Sequence, residues 1–298
     1  MSLKLLIMKR VFFLIMLFIL PCALVSQISP AWEELTSGEF AKAVEFSQGV
    51  CVIPIGVIEK HGQHLPLGTD VYTSRELSLR AADREYAIVF PFYFAGQINE
   101  AKHQPGTVAY SPQMIYNLLE ETCREISRNG IKKILIVNGH GGNNSFLQYF
   151  CQSQLYKERD YVVYLFSPEV DQATQEKIKL LRKSNTGGHA DEVETSNMMY
   201  VRRDLVKVDR AAKETGADLN RLNLKNAYTG IWWYAKYPNH YAGDASGASE
   251  ELGEVAFNQK ADQLAGVIKQ VKEDKIAPEL QKEFFRKSGE PLKTKPVK

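Results

Sequence analysis

The sequence predicts an α/β fold, a three-layer α/β/α domain built around a mostly parallel sheet. Three observations carry that expectation. Apolar runs of strand length recur at "GVCVIPIGV" (49–57), "YAIVFPFYF" (86–94), "KKILIVN" (132–138) and "DYVVYLFS" (160–167). They are continuous rather than alternating, which is the pattern of strands buried on both faces. Segments of helical spacing lie between them, and alternation of such strands with helices gives a parallel sheet covered on both sides.

Taken in order, the chain opens on a segment unlike the rest. "MSLKLLIMKRVFFLIMLFILPCALVSQ" places Lys4, Lys9 and Arg10 before an apolar run from Val11 to Leu20, as secretory leaders do. Pro21 ends the run short of the roughly 20 apolar residues a spanning helix needs. Residues 1–26 are therefore expected to be a signal peptide, cleaved near Ser26 or Gln27. The mature protein is then periplasmic or secreted, with no stable membrane anchor. A lipoprotein anchored at Cys22 is disfavoured, because Pro21 is not the small residue that such sites want. Cys51, Cys123 and Cys151 remain, without CxxC spacing, and read as small buried hydrophobes.

The chain of 298 residues, 44% hydrophobic, is long enough for one large core, so a single hydrolase-sized domain is expected over 27–275. Within "SPQMIYNLLEETCREISRNG", the residues Ile115, Leu118, Leu119, Cys123 and Ile126 form an i, i+3, i+4 stripe. Ser111 is its N-cap candidate, Pro112 its first turn and Gly130 its stop. A further helix is expected through "VETSNMMYV", and another from about Ala248 to Lys275. Residues 276–298, ending in "KSGEPLKTKPVK", read as a charged, solvated tail with or without a docked "LQKEFF" turn. With 37 basic and 35 acidic residues dispersed along the chain, there is no electrostatic footprint for nucleic acid.

Three polar clusters carry the chemistry, and each follows an apolar strand or a glycine turn. Beyond the first strand, "PIGVIEKHGQHLPLGTD" (54–70) presents Glu59 and His61, which project to the same side when the chain is extended. The turn-forming residues after them can fold back to deliver Asp70. In "IVNGHGGNNS", His140 is flanked by Gly139, Gly141 and Gly142, residues that allow positive φ and close backbone approach. The stretch lacks the lysine of a P-loop and the dinucleotide fingerprint, and its histidine suits a metal better. In "NTGGHADEVETSNMM", His189 precedes Glu192 and Glu194 at the start of a helix. Glutamates there favour the helix dipole on their own; beside His189 they become a candidate acid/base site or a further metal ligand.

Five of the six histidines (61, 64, 103, 140 and 189) fall in glycine- or proline-rich loops, leaving only His240 apart. Carboxylate and imidazole without thiolate fit zinc, manganese or iron(II). An aspartate able to bridge, with Glu and His on either side, points to two divalent ions about 3.5–4 Å apart sharing a hydroxide.

These motifs resemble the creatininase (creatinine amidohydrolase) family, whose pattern runs E-x-H-G-x-H-L-P-x-x-T-D, P-G-T, N-G-H-G-G-N and an H-A-G-E-x-E-T-like segment. Here they read "EKHGQHLPLGTD" (59–70), "HQPGTV" (103–108), "NGHGGN" (138–143) and "HADEVET" (189–195). "YAGDASGASEELGE" (241–254) is similar to the family's glycine-rich segment before its last helix. The resemblance implies an α/β/α amidohydrolase, usually a homohexamer, with a binuclear centre. By position it implies Glu59, His61, Asp70 and His140 as metal ligands with Asp70 bridging, Glu194 as the remaining carboxylate at or beside the metals, and His189 as the catalytic histidine. Three positions depart from the pattern. Gly142 stands where creatininase proper carries a further glutamate, Lys60 where glutamine is usual, and Asp191 where glycine is usual.

The sequence is thus read as an exported amidohydrolase cleaving a non-peptide C–N bond in a cyclic amide or formamide-like small molecule, with a metal-held hydroxide as nucleophile. Backbone N–H groups of Gly141 and Gly142 would assist at the oxyanion. His189, oriented by Glu192 or Glu194, would protonate the leaving nitrogen. Trp232, Trp233 and Tyr234 offer an aromatic wall, or equally core and subunit-contact residues. The alternatives are a non-catalytic secreted metal- or ligand-binding protein on a hydrolase scaffold and a two-metal phosphoester hydrolase, for which only Lys60 and Lys102 offer nearby cations.

Overall fold

The structure, a computed structural model, describes residues 28–296. The expected leader, with Cys22 and the cleavage site, lies outside the described residues. Four parallel strands form the sheet in the order β2-β1-β3-β4: β1 (Val50–Ile55), β2 (Ile88–Val89), β3 (Lys133–Asn138) and β4 (Val162–Leu165). β1 and β3 run in register from Val50 beside Lys133 to Ile55 beside Asn138. Every residue of β1 is buried, as its unbroken apolar run requires.

Alternate side chains of the strands feed two cores. Cys51, Ile53, Ile55, Ile134 and Ile136 pack against α1 (Ser37–Phe46), α3 (Pro112–Arg128) and α4 (Asn144–Ser153), through residues such as Ala43, Leu119 and Phe150. Val50, Val52, Leu135 and Val137 pack on the other face against α2 (Thr69–Arg84) and the long helix α8 (Glu250–Glu273). In α8 the i, i+4, i+7, i+11 set of Phe257, Ala261, Leu264 and Ile268 makes that contact. Between them come α5 (Gln172–Leu181), α6 (Glu192–Arg202), which packs on α8, and the short α7 (Trp232–Lys236). The layers are α/β/α, as the sequence predicts. Truncating Phe150, fully buried in the first core, would cost about 3–5 kcal/mol.

Local expectations fare unevenly. Ser111 does cap α3, its hydroxyl accepting from Met114 N–H at 3.3 Å, and Gly130 past its end has φ +94°. Leu118, placed in the buried stripe, is instead exposed, because the face turned to the sheet is that of Ile115, Leu119, Cys123 and Ile126. The 86–94 run is strand only at Ile88–Val89, since Pro91 has no N–H for a ladder. The stretch read as a tail contains a helix, α9 (Ile276–Ser288), tied back where Gln281 Nε2 donates to the Tyr161 carbonyl at 2.9 Å. Cys51, Cys123 and Cys151 are free thiols, the first two buried in the first core, where burial pushes their pKa far up. Among the described residues no helix is long and apolar enough to cross a membrane.

Candidate metal centre

In open parallel sheets ligands bind beyond the carboxyl ends of the strands, where the strand order reverses. The chain passes from β1 outward to β2, then returns across β1 to β3 on its other side, so the reversal lies between β1 and β3. The segment after β1 carries Glu59 and His61, and the turn after β3 carries His140. All the histidine and carboxylate motifs converge on that edge.

Backbone chemistry folds the first loop back on itself. Glu59 N–H donates to the Leu67 carbonyl at 3.0 Å, Gly62 takes φ +59°, and Asp70 enters the first turn of α2 with its Oδ1 3.0 Å from His61 Nε2. Asn138 pins the second loop: its Oδ1 accepts His140 N–H at 3.1 Å and its Nδ2 donates to the His140 carbonyl at 2.7 Å. Gly139 lets this turn lie against α2, since a Cβ there would stand 2.6 Å from the Asp70 carbonyl oxygen. Close approach, not positive φ, is thus what Gly139 and Gly142 provide, whereas a Cβ on Gly141 would meet nothing within 4 Å.

Among the described residues three groups of side chains place one donor atom each close enough to share an ion: Glu59, Asp70 and His140; His61, Asp70 and Glu194; and Glu59, His61 and His189. In the first, His140 Nδ1 lies 2.7 Å from Glu59 Oε1 and 3.2 Å from Asp70 Oδ2. In the second, His61 Nε2 lies 3.0 Å from Asp70 Oδ1 and 3.7 Å from Glu194 Oε1. The two oxygens of Asp70 therefore face different imidazoles. Glu59, His61 and Asp70 are almost wholly buried, and among the described residues no partner meets Glu59 Oε1 or Asp70 Oδ2 with hydrogen-bond geometry, although His140 Nδ1 stands 2.7 and 3.2 Å away. Buried carboxylate oxygens without partners are costly, and lone pairs crowded together in this way fit a divalent cation.

The electrostatics agree. Burial opposes charge on His61 and His140, but Asp70 and Glu194 around the first, and Glu59 and Asp70 around the second, outweigh it and raise both imidazole pKa values well above the ordinary one. Burial raises Asp70 and Glu194 in turn, and the neighbouring imidazoles overcome it, holding Asp70 far below the usual carboxylate range and Glu194 at about 2. Protons on the imidazoles thus supply the positive charge that an ion would replace. His189 behaves oppositely: burial dominates, and its pKa falls below the ordinary value. Its Nε2 donates to the Lys60 carbonyl at 2.8 Å, and its Nδ1 lies 3.8 Å from Glu194 Oε2.

Of the residues expected at the site, Glu59, His61, Asp70, His140, His189 and Glu194 are brought together. Glu192 is not. It is fully buried and its oxygens accept the backbone N–H groups of Lys183 and Ser184 at 2.7 and 2.6 Å, so it anchors the preceding loop and cannot orient His189. The reason is helical phase: Glu192 and Glu194, two apart at the start of α6, point in different directions. Asp191 caps that helix, accepting Glu194 N–H at 2.9 Å. Lys60 pairs with Glu214 at 2.8 Å, and His64 joins the first loop to the third by bonding the Ala190 carbonyl and Thr195 Oγ1, each at 3.0 Å.

The sixth histidine, set apart in the sequence, is at the site. His240 Nε2 bonds Glu59 Oε2, while its Nδ1 accepts from Trp233 Nε1–H at 2.9 Å. Trp233 therefore positions His240, which holds Glu59. No motif spacing marks His240, which sits in a loop at φ +53°. Trp232 and Trp233 line a cavity of about 560 Å³ that also bounds Glu59, His140, His189 and Glu194. A second cavity of about 600 Å³ adjoins it across Gln97, Glu100 and Gly142.

A parallel α/β/α domain with carboxylates and imidazoles converging at the sheet's switch point defines a metal-binding hydrolase. The chain belongs to the creatininase family of hydrolases: residues 33–268 match the family of creatinine amidohydrolase. It is 29% identical over 119 residues to creatinine amidohydrolase of Pseudomonas putida, covering 38% of this chain and about half, 46%, of that protein. It is 28% identical over 232 residues to the mycofactocin precursor peptide peptidase of Mycolicibacterium smegmatis, covering 75% of this chain and 86% of that one. A manganese creatininase structure superposes with a TM-score of 0.68 at 23% identity, over 81% of this chain and 98% of the other.

Proposed function

We propose that the protein is a metal-dependent amidohydrolase that opens a non-peptide C–N bond in a cyclic amide or a formamide-like small molecule. The observation that carries this reading is the pair of donor sets meeting at Asp70. Glu59, Asp70 and His140 would hold one divalent ion, and His61, Asp70 and Glu194 a second, zinc, manganese or iron(II) by donor type. Bound there, the ions supply a Lewis acid for the carbonyl oxygen and a water acidic enough to be deprotonated near neutral pH.

The chain's own residues do the rest. With Nε2–H committed to the Lys60 carbonyl, neutral His189 keeps its lone pair on Nδ1. A proton taken up at Nδ1 is stabilised by Glu194 Oε2, 3.8 Å away, and is passed to the leaving nitrogen. Trp232, on the cavity wall, offers a face for a flat substrate, whereas Trp233 is engaged in holding His240. A phosphoester is a poorer fit, because Lys60 is already paired with Glu214 and Lys102 belongs only to the adjoining cavity.

Two observations favour a second reading, cleavage of an amide within an extended chain: the adjoining cavity doubles the space beside the centre, and a relative that aligns over most of its length is a peptidase. Turnover of lactams, formamides and short peptides by metal-loaded and metal-stripped protein, with products identified by mass, tests both. Metal-dependent hydrolysis confined to lactams or formamides supports the first reading. Peptide cleavage alone supports the second, and no metal-dependent turnover of any class leaves the non-catalytic binding protein. We also propose that residues 1–26 are a leader and that the protein is exported, so that N-terminal sequencing of the recovered product should begin near Ser26 or Gln27. Retention of the leader would refute that.

A further inference from the structure

Nothing in the motif spacing points to Glu100. It lies in a short 3-10 turn, Asn99–Ala101, yet its carboxylate borders the cavity that holds the candidate centre. There it fills the space above Gly142: a Cβ on Gly142 would stand 2.6 Å from Glu100 Oε1 and 2.3 Å from His140 Nε2. Any other residue at 142 would separate the two.

His140 has one nitrogen for each neighbour. Nδ1 faces Glu59 and Asp70, while Nε2 is buried, has no hydrogen-bond partner among the described residues, and lies 4.0 Å from Glu100 Oε1. That gap is about 1 Å longer than a hydrogen bond, within reach of a small adjustment of an unbranched side chain. Glu100 is itself held, its Oε2 accepting from Gln97 Nε2 at 2.9 Å, and Gln97 is fixed where its backbone N–H donates to Asn143 Oδ1 at 2.7 Å. Glu100 belongs to none of the groups able to share an ion among the described residues, so it is not a ligand candidate.

We propose that Glu100 is the positioning carboxylate of His140. By accepting the Nε2 proton it fixes the tautomer in which the Nδ1 lone pair points at Glu59 and Asp70, and it makes that nitrogen a better donor. The proposal rests on reading Glu59, Asp70 and His140 as an ion site.

Its test is zinc affinity by competition with a chromophoric chelator, together with the visible spectrum of the cobalt(II)-loaded protein, for Glu100→Ala, Glu100→Gln and Gln97→Ala. Glu100→Ala should weaken one of the two ions by about 10–100-fold and shift the cobalt bands. Glu100→Gln keeps an acceptor oxygen and should recover most of the loss, and Gln97→Ala, which leaves the carboxylate in place but unheld, should lose less than Glu100→Ala. Wild-type affinity and spectrum in Glu100→Ala would overturn the proposal, as would equal losses in the Ala and Gln variants, which would mean that charge and not positioning matters. Wild-type protein that binds neither metal would overturn the ion site itself, and the proposal with it.

Discussion

Asp70→Ala should empty the centre more completely than any other single substitution in it. Donors about 2.1 Å from a tetrahedral ion stand about 3.4 Å apart. The four spacings measured within the two Asp70 groups are 2.7, 3.2, 3.0 and 3.7 Å, which bracket that value. In the competing group, Glu59 lies 3.8 Å from His189 and 3.9 Å from His61, uniformly wider, and Glu59 Oε2 already bonds His240. The better pair of sites therefore shares Asp70 and leaves His189 free. His61→Ala or His140→Ala takes one site from three protein donors to two, whereas Asp70→Ala does so to both. Since losing an outer partner alone costs about 10–100-fold in affinity, losing the shared donor should cost at least about 100-fold at each ion. Elemental analysis after gel filtration against a chelator measures this, with circular dichroism to establish that each variant is folded. We expect two ions per chain in the wild type, one in His61→Ala and His140→Ala, and almost none in Asp70→Ala. Full occupancy in Asp70→Ala, or a Glu59→Ala protein emptier than Asp70→Ala, would refute sharing through Asp70.

His189→Ala should retain both ions and the fold while turnover falls by about 10²–10⁴-fold, with a smaller deficit for substrates whose leaving group is already acidic; loss of metal would instead make His189 a ligand. The metal-free protein should lose thermal stability as pH rises from neutral. His61 and His140 have raised folded-state pKa values, so their stabilisation is complete below the unfolded imidazole pKa and disappears as pH climbs through the folded one. Metal-loaded protein, in which cations replace those protons, should lack that alkaline decline, and parallel melting curves for the two forms would contradict the account. Light scattering of the leader-free protein should give a hexamer; a monomer at micromolar concentration would count against it.

What could be read from the sequence was whatever depends on near neighbours. The β1 and β3 runs, the cap at Ser111 and the three loop motifs are local patterns, and strand ends in a parallel sheet meet wherever their loops emerge. Local pattern also singled out Glu59, His61, Asp70 and His140, which the fold brings together. It failed where side-chain direction or distant packing decides. Glu192 and Glu194 are equivalent in composition, and only the helical phase of α6 separates an anchor from a site residue. Leu118 satisfies the apolar spacing yet sits beyond the edge of the covered face. His240 and Glu100 escaped notice because nothing beside them in the chain hints at a partner, their neighbours Glu59 and His140 being supplied by the topology.

The bond between His240 and Glu59 joins residues 181 positions apart. Closing a loop of that length costs roughly 5 kcal/mol in chain entropy, and packing α8 on β1 closes a longer one. The sheet itself pairs across shorter spans, with Val50 beside Lys133 and Lys133 beside Val162. A polypeptide halted before residue 240 lacks both the Trp233, His240 and Glu59 chain and the α8 layer. Ion uptake should therefore trail the appearance of secondary structure during refolding and mark the moment at which the whole chain has found its place.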